Sequence, residues 1–246
     1  MIQLKNVSKS FGAKKALSDV TLSLEAQKTH VFLGSSGSGK STLLKILMGL
    51  IPFSEGDAVI AGLRVNTENQ RDIKDRVGYV LQEGGLFPHL TLQDNICLKA
   101  KLRKWNHSKI EKQLHELSEL FGLDKELLKK YPRSCSGGQR QRAAVMRGLF
   151  LNPDILMMDE PFGALDPLIR YQLQEDLKKI FNQLKKTVII VTHDLGEAEY
   201  FGHTVTLFSK GKIVQHGDYS DLIERPANNF VTQFVNAQRI SGKSND

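Results

Sequence analysis

Five clusters in this sequence have residue types and spacing that could do chemistry, and the densest is Val31 to Thr42, VFLGSSGSGKST. Gly34 to Ser41 fits the spacing G-x-x-x-x-G-K-[ST], with an apolar run before it and Leu43, Leu44, Ile46 and Leu47 after it. That order reads as strand, glycine-rich loop and helix. A triphosphate tail needs backbone N–H groups aimed inward. Gly34, Gly37 and Gly39 permit the backbone angles, while Ser35, Ser36 and Ser38 are small enough to leave room. The following helix would add the positive end of its dipole. Lys40 would reach the β- and γ-phosphates, the Ser41 hydroxyl would ligate Mg²⁺, and Thr42 closes the loop. A plain Gly/Ser turn between strand and helix is the alternative, and it leaves the Lys-Ser pair without a purpose.

The second cluster is ILMMDEP, Ile155 to Pro161. A continuous apolar run predicts a buried strand, and this one ends in two carboxylates where ligands collect at the edge of such sheets. Asp159 would hold Mg²⁺, directly or through water, and Glu160, one step on, could accept a proton from an attacking water. An Asp-Glu pair at a strand end can equally be a helix cap. The third cluster is CSGGQRQR, Cys135 to Arg142, where Ser136, Gly137 and Gly138 open a helix and form another anion-binding N-terminus. Two phosphate sites for one nucleotide make sense if the second faces a nucleotide on another subunit; an ordinary Ser/Gly helix start is the plainer reading. The fourth is His193, directly after VIIVT, where an imidazole can reach a γ-phosphate, although a lone histidine is more often structural. The fifth is Gln82, also ending a strand, whose amide can touch both metal and water.

The elements that must position these residues can be read from periodicity. IQLKNVSKSF and ALSDVTLSLE alternate loosely around Gly12 and predict two strands. DAVIAG and RVGYVLQ predict two more, with a turn over Pro52 to Gly56 between them and the phosphate-loop helix. From Thr91 the pattern turns helical: Ile110, Leu114, Leu117, Leu120 and Phe121 share a face, with a capping-box start at Ser108 and Glu111 and a stop at Gly122. Asp166-Pro167 starts another helix, with Ile169, Leu173, Leu177, Ile180 and Leu184 inward. Val188 to Thr192 predicts a buried strand, Thr204 to Gln215 a hairpin through Lys210-Gly211, and SGKSND a frayed end. The expected architecture is α/β: a largely parallel nucleotide-binding core, an antiparallel flap from the N-terminal strands, and a helical insert from about Thr91 to Gly148.

The net charge of +7 is concentrated between Thr91 and Arg142, where twelve Lys and Arg face six Asp and Glu. Such a face could meet nucleic acid, anionic lipid or an acidic partner, or simply be solvated. Apart from Trp105, aromatic residues are not interleaved with the basic ones, which argues against a base-stacking platform. No apolar run approaches the roughly 20 residues that span a bilayer. The N-terminal MIQLKNVSKSF carries no signal-peptide core, and the two cysteines, Cys97 and Cys135, have no metal-ligand spacing. The expectation is a reduced, cytosolic chain.

Taken together and in this order, the clusters resemble the ATP-binding cassette transport ATPases over nearly the whole chain. GSSGSGKS is similar to that family's phosphate loop, Gln82 to its glutamine loop, CSGGQ to its signature, and ILMMDE to its magnesium-binding strand with catalytic glutamate. Ala164 to Asp166 resembles its dimer-contact loop and His193 its switch histidine. The resemblance implies a phosphate-loop cassette with a RecA-like core (1–90 and 149–235, including an antiparallel β subdomain), a helical signature subdomain (91–148) and a tail (236–246). It implies ATP and Mg²⁺ as cofactors, with Phe11 stacked on adenine and Ala16 packing nearby. Each nucleotide would lie between Gly34–Ser41 of one subunit and Ser136–Gln139 of another, and Asp166, from the dimer-contact loop, would also be a nucleotide-binding residue. Cys135 stands where the family usually has leucine. EGGLFPHLT and DEPFGALDP are similar to bacterial uptake ATPases, and GALDPLIRYQLQEDL, THDLGEAEYFG and PANNFVTQFVNAQR to those serving glycine betaine, choline and related quaternary amines. The implied partners are a second ATPase subunit, transmembrane permease subunits docking near Glu83 to His89, and a periplasmic or lipid-anchored binding protein, at the cytoplasmic face of the membrane. Another solute is the alternative cargo, whether amino acid, inorganic anion or exported lipid. A soluble cassette acting on nucleic acid or ribosomes is the alternative class, against which stands the absence of tandem cassettes or long coiled coils.

Overall fold

The computed structural model describes residues 1–82, 84–163 and 165–243, with side chains as far as 239. The chain begins with β1 (Ile2–Phe11), β2 (Lys14–Leu24), β3 (Thr29–Leu33), α1 (Lys40–Leu47), β4 (Glu55–Ile60), β5 (Leu63–Arg64), α2 (Gln70–Arg76) and β6 (Val77–Val80). A helical stretch follows: α3 (Leu92–Leu102), α4 (His107–Phe121), α5 (Lys125–Leu128) and α6 (Gly137–Leu149). The remainder is β7 (Ile155–Asp159), α7 (Pro167–Leu184), β8 (Thr187–Thr192), α8 (Leu195–Phe201), β9 (Thr204–Ser209), β10 (Lys212–Gly217), α9 (Tyr219–Glu224) and α10 (Asn229–Lys243). The contacts divide it into two units, Met1–Lys74 with Thr187–Asp246, and Asp75–Lys186.

In the first unit, β2, β1, β4 and β5 form an antiparallel sheet in that order. Its strands alternate as the sequence requires, and Ile2, Leu4, Leu22 and Leu24 turn inward. The second set of strands reads differently: β3 and β8 are buried at every residue, as strands covered on both faces must be. β3 runs parallel to β8 on one side and to β9 on the other, and β10 returns antiparallel to β9. The predicted hairpin turn is present, with Lys210 at φ 47° and Gly211 at φ 78°, the positive angles a two-residue turn needs. That turn has a second use. The Gly211 amide donates to the Ser38 carbonyl at 2.9 Å, and the Gly211 carbonyl accepts from the Ser18 amide at 2.8 Å, which pins the glycine-rich loop to β2.

In the second unit β6 and β7 run parallel, α6 packs on β6, and α3, α4 and α7 pack with α6. Asp166 caps α7 as predicted, its carboxylate accepting from the Ile169 amide at 3.0 Å, and Gly122 ends α4 at φ 63°. On α7 the inward residues are Leu173, Leu177, Ile180 and Phe181, while Ile169 and Leu184 are only half-buried. The start of α4 corrects the expectation. Asn106, not Ser108, is the cap, its side chain accepting from the Lys109 amide at 2.8 Å, and the helix begins two residues earlier than the Ser-x-x-Glu pattern suggested. At the end of the chain α10 runs through Ser241–Lys243, and Ser244–Asp246, the rest of the stretch expected to fray, lie outside the described residues.

Candidate functional site

The glycine-rich loop is built from the residues the sequence singles out, and each glycine answers a different demand. Gly34, Gly37 and Gly39 all take positive φ, at 146°, 75° and 109°. A Cβ on Gly34 would lie 2.3 Å from the Phe208 carbonyl oxygen, and one on Gly39 would lie 2.8 Å from the Ala16 carbonyl oxygen. At Gly37 there is open space, so only its backbone angle asks for glycine. Ser35, Ser36 and Gly37 form an exposed rim, and Ser38 is buried beneath it.

Lys40 opens α1 and is only 4% exposed. Its Nζ donates to the carbonyl oxygens of Gly34 at 2.6 Å and Ser35 at 2.9 Å and to Ser38 Oγ at 3.3 Å. The ammonium is therefore held inside its own loop, where phosphate oxygens would be stronger acceptors than neutral carbonyls. Ser41 and Thr42 follow in the first turn, both half-buried, and Gly39 provides no side-chain cap. Phe11 ends β1 with half its surface exposed, and Ala16 lies on β2, half-buried. In the same unit His193 is exposed, fixed between the end of β8 and Asp194. The Asp194 carboxylate caps α8 by accepting from the Gly196 and Glu197 amides.

The second unit brings Gln82, Asp159 and Glu160 together, although about eighty positions separate them in sequence. Gln82 Nε2 donates to Glu160 Oε2 at 3.3 Å. The Tyr79 hydroxyl points to Asp159 Oδ2 at 3.4 Å. Burial first, then the Asp159 charge, pushes the Tyr79 pKa far above its ordinary value, so the phenol stays a donor to that carboxylate. Glu160 itself has φ 46°, an unusual angle for a residue with a side chain, which turns it out of the strand direction of Asp159. No sequence signal identified Tyr79, which reads as an ordinary strand aromatic. Asn95 was missed likewise. Fully buried, it accepts from the Phe87 amide at 2.7 Å and donates to the Phe87, Leu90 and Thr91 carbonyls, organising the turn before α3.

The signature cluster proves to be a capping box. Ser136 Oγ accepts from the Gln139 amide at 3.2 Å, and Gln139 Oε1 accepts from the Ser136 amide at 2.9 Å. A Cβ on Gly137 would come 2.9 Å from Leu165 Cδ2 and one on Gly138 2.7 Å from Ile169 Cγ2, so a side chain at either position would displace its neighbour. Ser136 remains exposed, and its own O–H is free of the capping role. Cys135 is buried, its Sγ 3.4 Å from the Tyr131 carbonyl oxygen, and burial raises its pKa. Asp166 is exposed at its helix cap; Ala164, from the same expected dimer-contact loop, and Glu83, from the expected docking stretch, lie outside the described residues. Among the described residues no group of three or more His, Cys, Asp or Glu could hold a metal, and no helix is long and apolar enough to cross a membrane.

Residues 17–163 match the family model described as ABC transporter. The chain is 41% identical over 240 residues to the glycine betaine uptake system ATP-binding protein YehX of Escherichia coli (strain K12), covering 98% of this chain and 78% of that protein. It is 40% identical over 241 residues to the choline transport ATP-binding protein OpuBA of Bacillus subtilis (strain 168), covering 98% of this chain but 63% of that one, less than two thirds of the relative's length. Among solved structures, a dimeric post-hydrolysis state of the ATP-binding cassette MJ0796 bound to ADP and Pi aligns with a TM-score of 0.79 at 30% identity, covering 89% of this chain and 99% of that one.

Proposed function

Because this chain belongs to the ABC transporter family, we propose that it is the ATP-hydrolysing subunit of a bacterial-type importer whose cargo is a quaternary-amine osmoprotectant such as glycine betaine or choline. The cargo rests on what the similar proteins are named for. The hydrolysis rests on one observation above all, the Gln82 amide against the Glu160 carboxylate, one residue after an Asp159 held by Tyr79.

In this reading the loop from Gly34 to Thr42 takes the phosphates of ATP, and Lys40 exchanges its loop carbonyls for β- and γ-phosphate oxygens. Phe11 offers an exposed ring to the adenine beside Ala16. Glu160 accepts a proton from water as the water oxygen bonds to the γ-phosphorus. The bond to the bridging oxygen breaks, and ADP and phosphate result. Gln82 holds the Glu160 carboxylate in place, and His193 contacts the γ-phosphate. The Ser41 hydroxyl, the Gln82 amide oxygen and the Asp159 carboxylate are hard oxygen donors of the kind Mg²⁺ accepts alongside phosphate and water. When bound, Mg²⁺ neutralises the charge that builds on the phosphate oxygens. The nucleotide-binding core would be 1–90 with 149–235, carrying a helical subdomain over 91–148 and a tail over 236–246.

The working form would be an ATP-dependent dimer, with Ser136–Gln139 and Asp166 of one copy facing the loop of the other, as the dimeric state of a similar cassette supports. Membrane permease subunits and a periplasmic or lipid-anchored binding protein complete the importer at the cytoplasmic face. Glu160→Gln tests the chemistry: it should bind Mg·ATP with turnover lower by about 10²-fold or more. Near-normal turnover would remove Glu160 as the base. Purification of the chain with its native membrane partners, followed by ligand screening of the associated binding protein, tests the cargo.

A further inference from the structure

The last turn of α6 lies unusually close to β6. A Cβ on Gly78 would fall 2.2 Å from the Gly148 carbonyl oxygen, so two facing glycines let helix and strand backbones touch. This approach brings Arg147, one residue before Gly148, to the chain leaving β6. Arg147 Nη1 donates to the Gly85 carbonyl and Nη2 to the Gly84 carbonyl, both at 2.8 Å. The two glycines have φ 59° and 72°, conformations that present successive carbonyls to one planar fork. The loop is also seated on the helix, for a Cβ on Gly84 would meet Ala144 Cβ at 3.2 Å and Gln141 Oε1 at 3.3 Å. Burial lowers the Arg147 pKa, yet a guanidinium stays charged under that cost where an ammonium would yield more readily.

We propose that Arg147 is a positioning residue that clamps the Gln82 loop to α6, and through Gln82 sets the Glu160 carboxylate. Gln82 stands two residues before the clamped carbonyls and donates to Glu160. The same helix starts at the exposed Ser136 capping box, so one rigid element joins the signature residues to the residue that orients the base. Displacement of α6 at its first turn would then reach Glu160 through Arg147. The inference rests on the reading of Glu160 as the base.

The test uses the full chain with Arg147→Met, which keeps bulk and loses the fork, and Arg147→Lys, which keeps charge and loses the second planar contact. Two quantities are read: amide hydrogen exchange over residues 84–89, and steady-state hydrolysis per titrated nucleotide site. Arg147→Met should speed exchange there by about tenfold or more, the loss expected from a charged hydrogen bond. Its kcat should fall about tenfold with KM for ATP within twofold, and Arg147→Lys should lie between it and the parent. Unchanged exchange overturns the clamp; faster exchange with unchanged kcat overturns its link to Glu160. Exchange accelerated evenly along the whole chain marks general loosening and also overturns it. Should Arg147→Met fail to fold, the lysine variant decides by the same criteria. A parent protein without ATP turnover would instead refute the proposed function, while the exchange measurement still decides the clamp.

Discussion

Single residues of the glycine-rich loop can be separated by what surrounds them. Gly34→Ala would place a methyl 2.3 Å from a backbone carbonyl, and it should cost about 3 kcal/mol or more in thermal or denaturant unfolding. Gly37→Ala meets open space and should cost only the roughly 1–2 kcal/mol of a positive φ. Equal losses at the two positions would mean the Phe208 contact does not set the loop. Lys40→Ala should weaken nucleotide binding roughly tenfold to hundredfold, the worth of a charged hydrogen bond, as read by titration with a fluorescent ATP analogue. Cys135, where the resemblance to the family is broken, has its thiol buried and its pKa raised. Slow maleimide labelling, no ATP-protected inhibition, and activity within twofold for Cys135→Leu are expected; rapid labelling blocked by ATP would make it a reactive site thiol.

The N-terminus of α6 carries the capping box and, in the proposed dimer, the cross-subunit contact. Ser136→Ala removes one half of the capping box and should lower stability by about 1 kcal/mol. Ser136→Arg should go further in a different property. A Glu160→Gln background should be monomeric without nucleotide and dimeric with ATP, and the arginine should abolish the shift by placing bulk and charge on an exposed face. Light scattering that shows an undisturbed ATP-bound dimer in Ser136→Arg would refute the cross-subunit role. Caps also mark what short sequence patterns can and cannot carry. Gly122 and Asp166 were legible because the chemistry that ends or starts their helices lies within a few residues. At α4 the Ser-x-x-Glu pattern pointed to Ser108, whereas the Asn106 side chain takes the cap by accepting from the Lys109 amide.

Over the whole molecule, acid stability should follow His30, held in the core of the first unit. His30 is 1% exposed, its Nε2 2.9 Å from the Glu25 carbonyl oxygen and its Nδ1 2.8 Å from Thr204 Oγ1. Burial is the first cause lowering its pKa below the ordinary 6.5, with nearby His216, His203 and Lys28 adding to it. The unfolded chain therefore binds the proton more readily than the folded one. Stability is complete above pH 6.5 and declines as pH falls below it, by at most about 1.4 kcal/mol per unit for this histidine. Thermal midpoints between pH 7.5 and pH 5 should fall less steeply in His30→Gln than in the parent, even though its plateau is lower. An unchanged slope would remove His30 from the acid response.

Sequence alone determined the elements whose causes are local. The glycine-rich loop, the apolar strands β3, β7 and β8, the Lys210-Gly211 hairpin and the order of the motifs follow from backbone angles, periodicity and spacing between near neighbours. Tertiary structure decided what depends on residues far apart in the chain. It set Gln82 on Glu160 and Tyr79 on Asp159, fastened the glycine-rich loop to a hairpin turn more than 170 positions later, and put Arg147 on the carbonyls of Gly84 and Gly85. Those contacts use common residue types with no periodic signature, and only the folded backbone brings their donors and acceptors within hydrogen-bond reach.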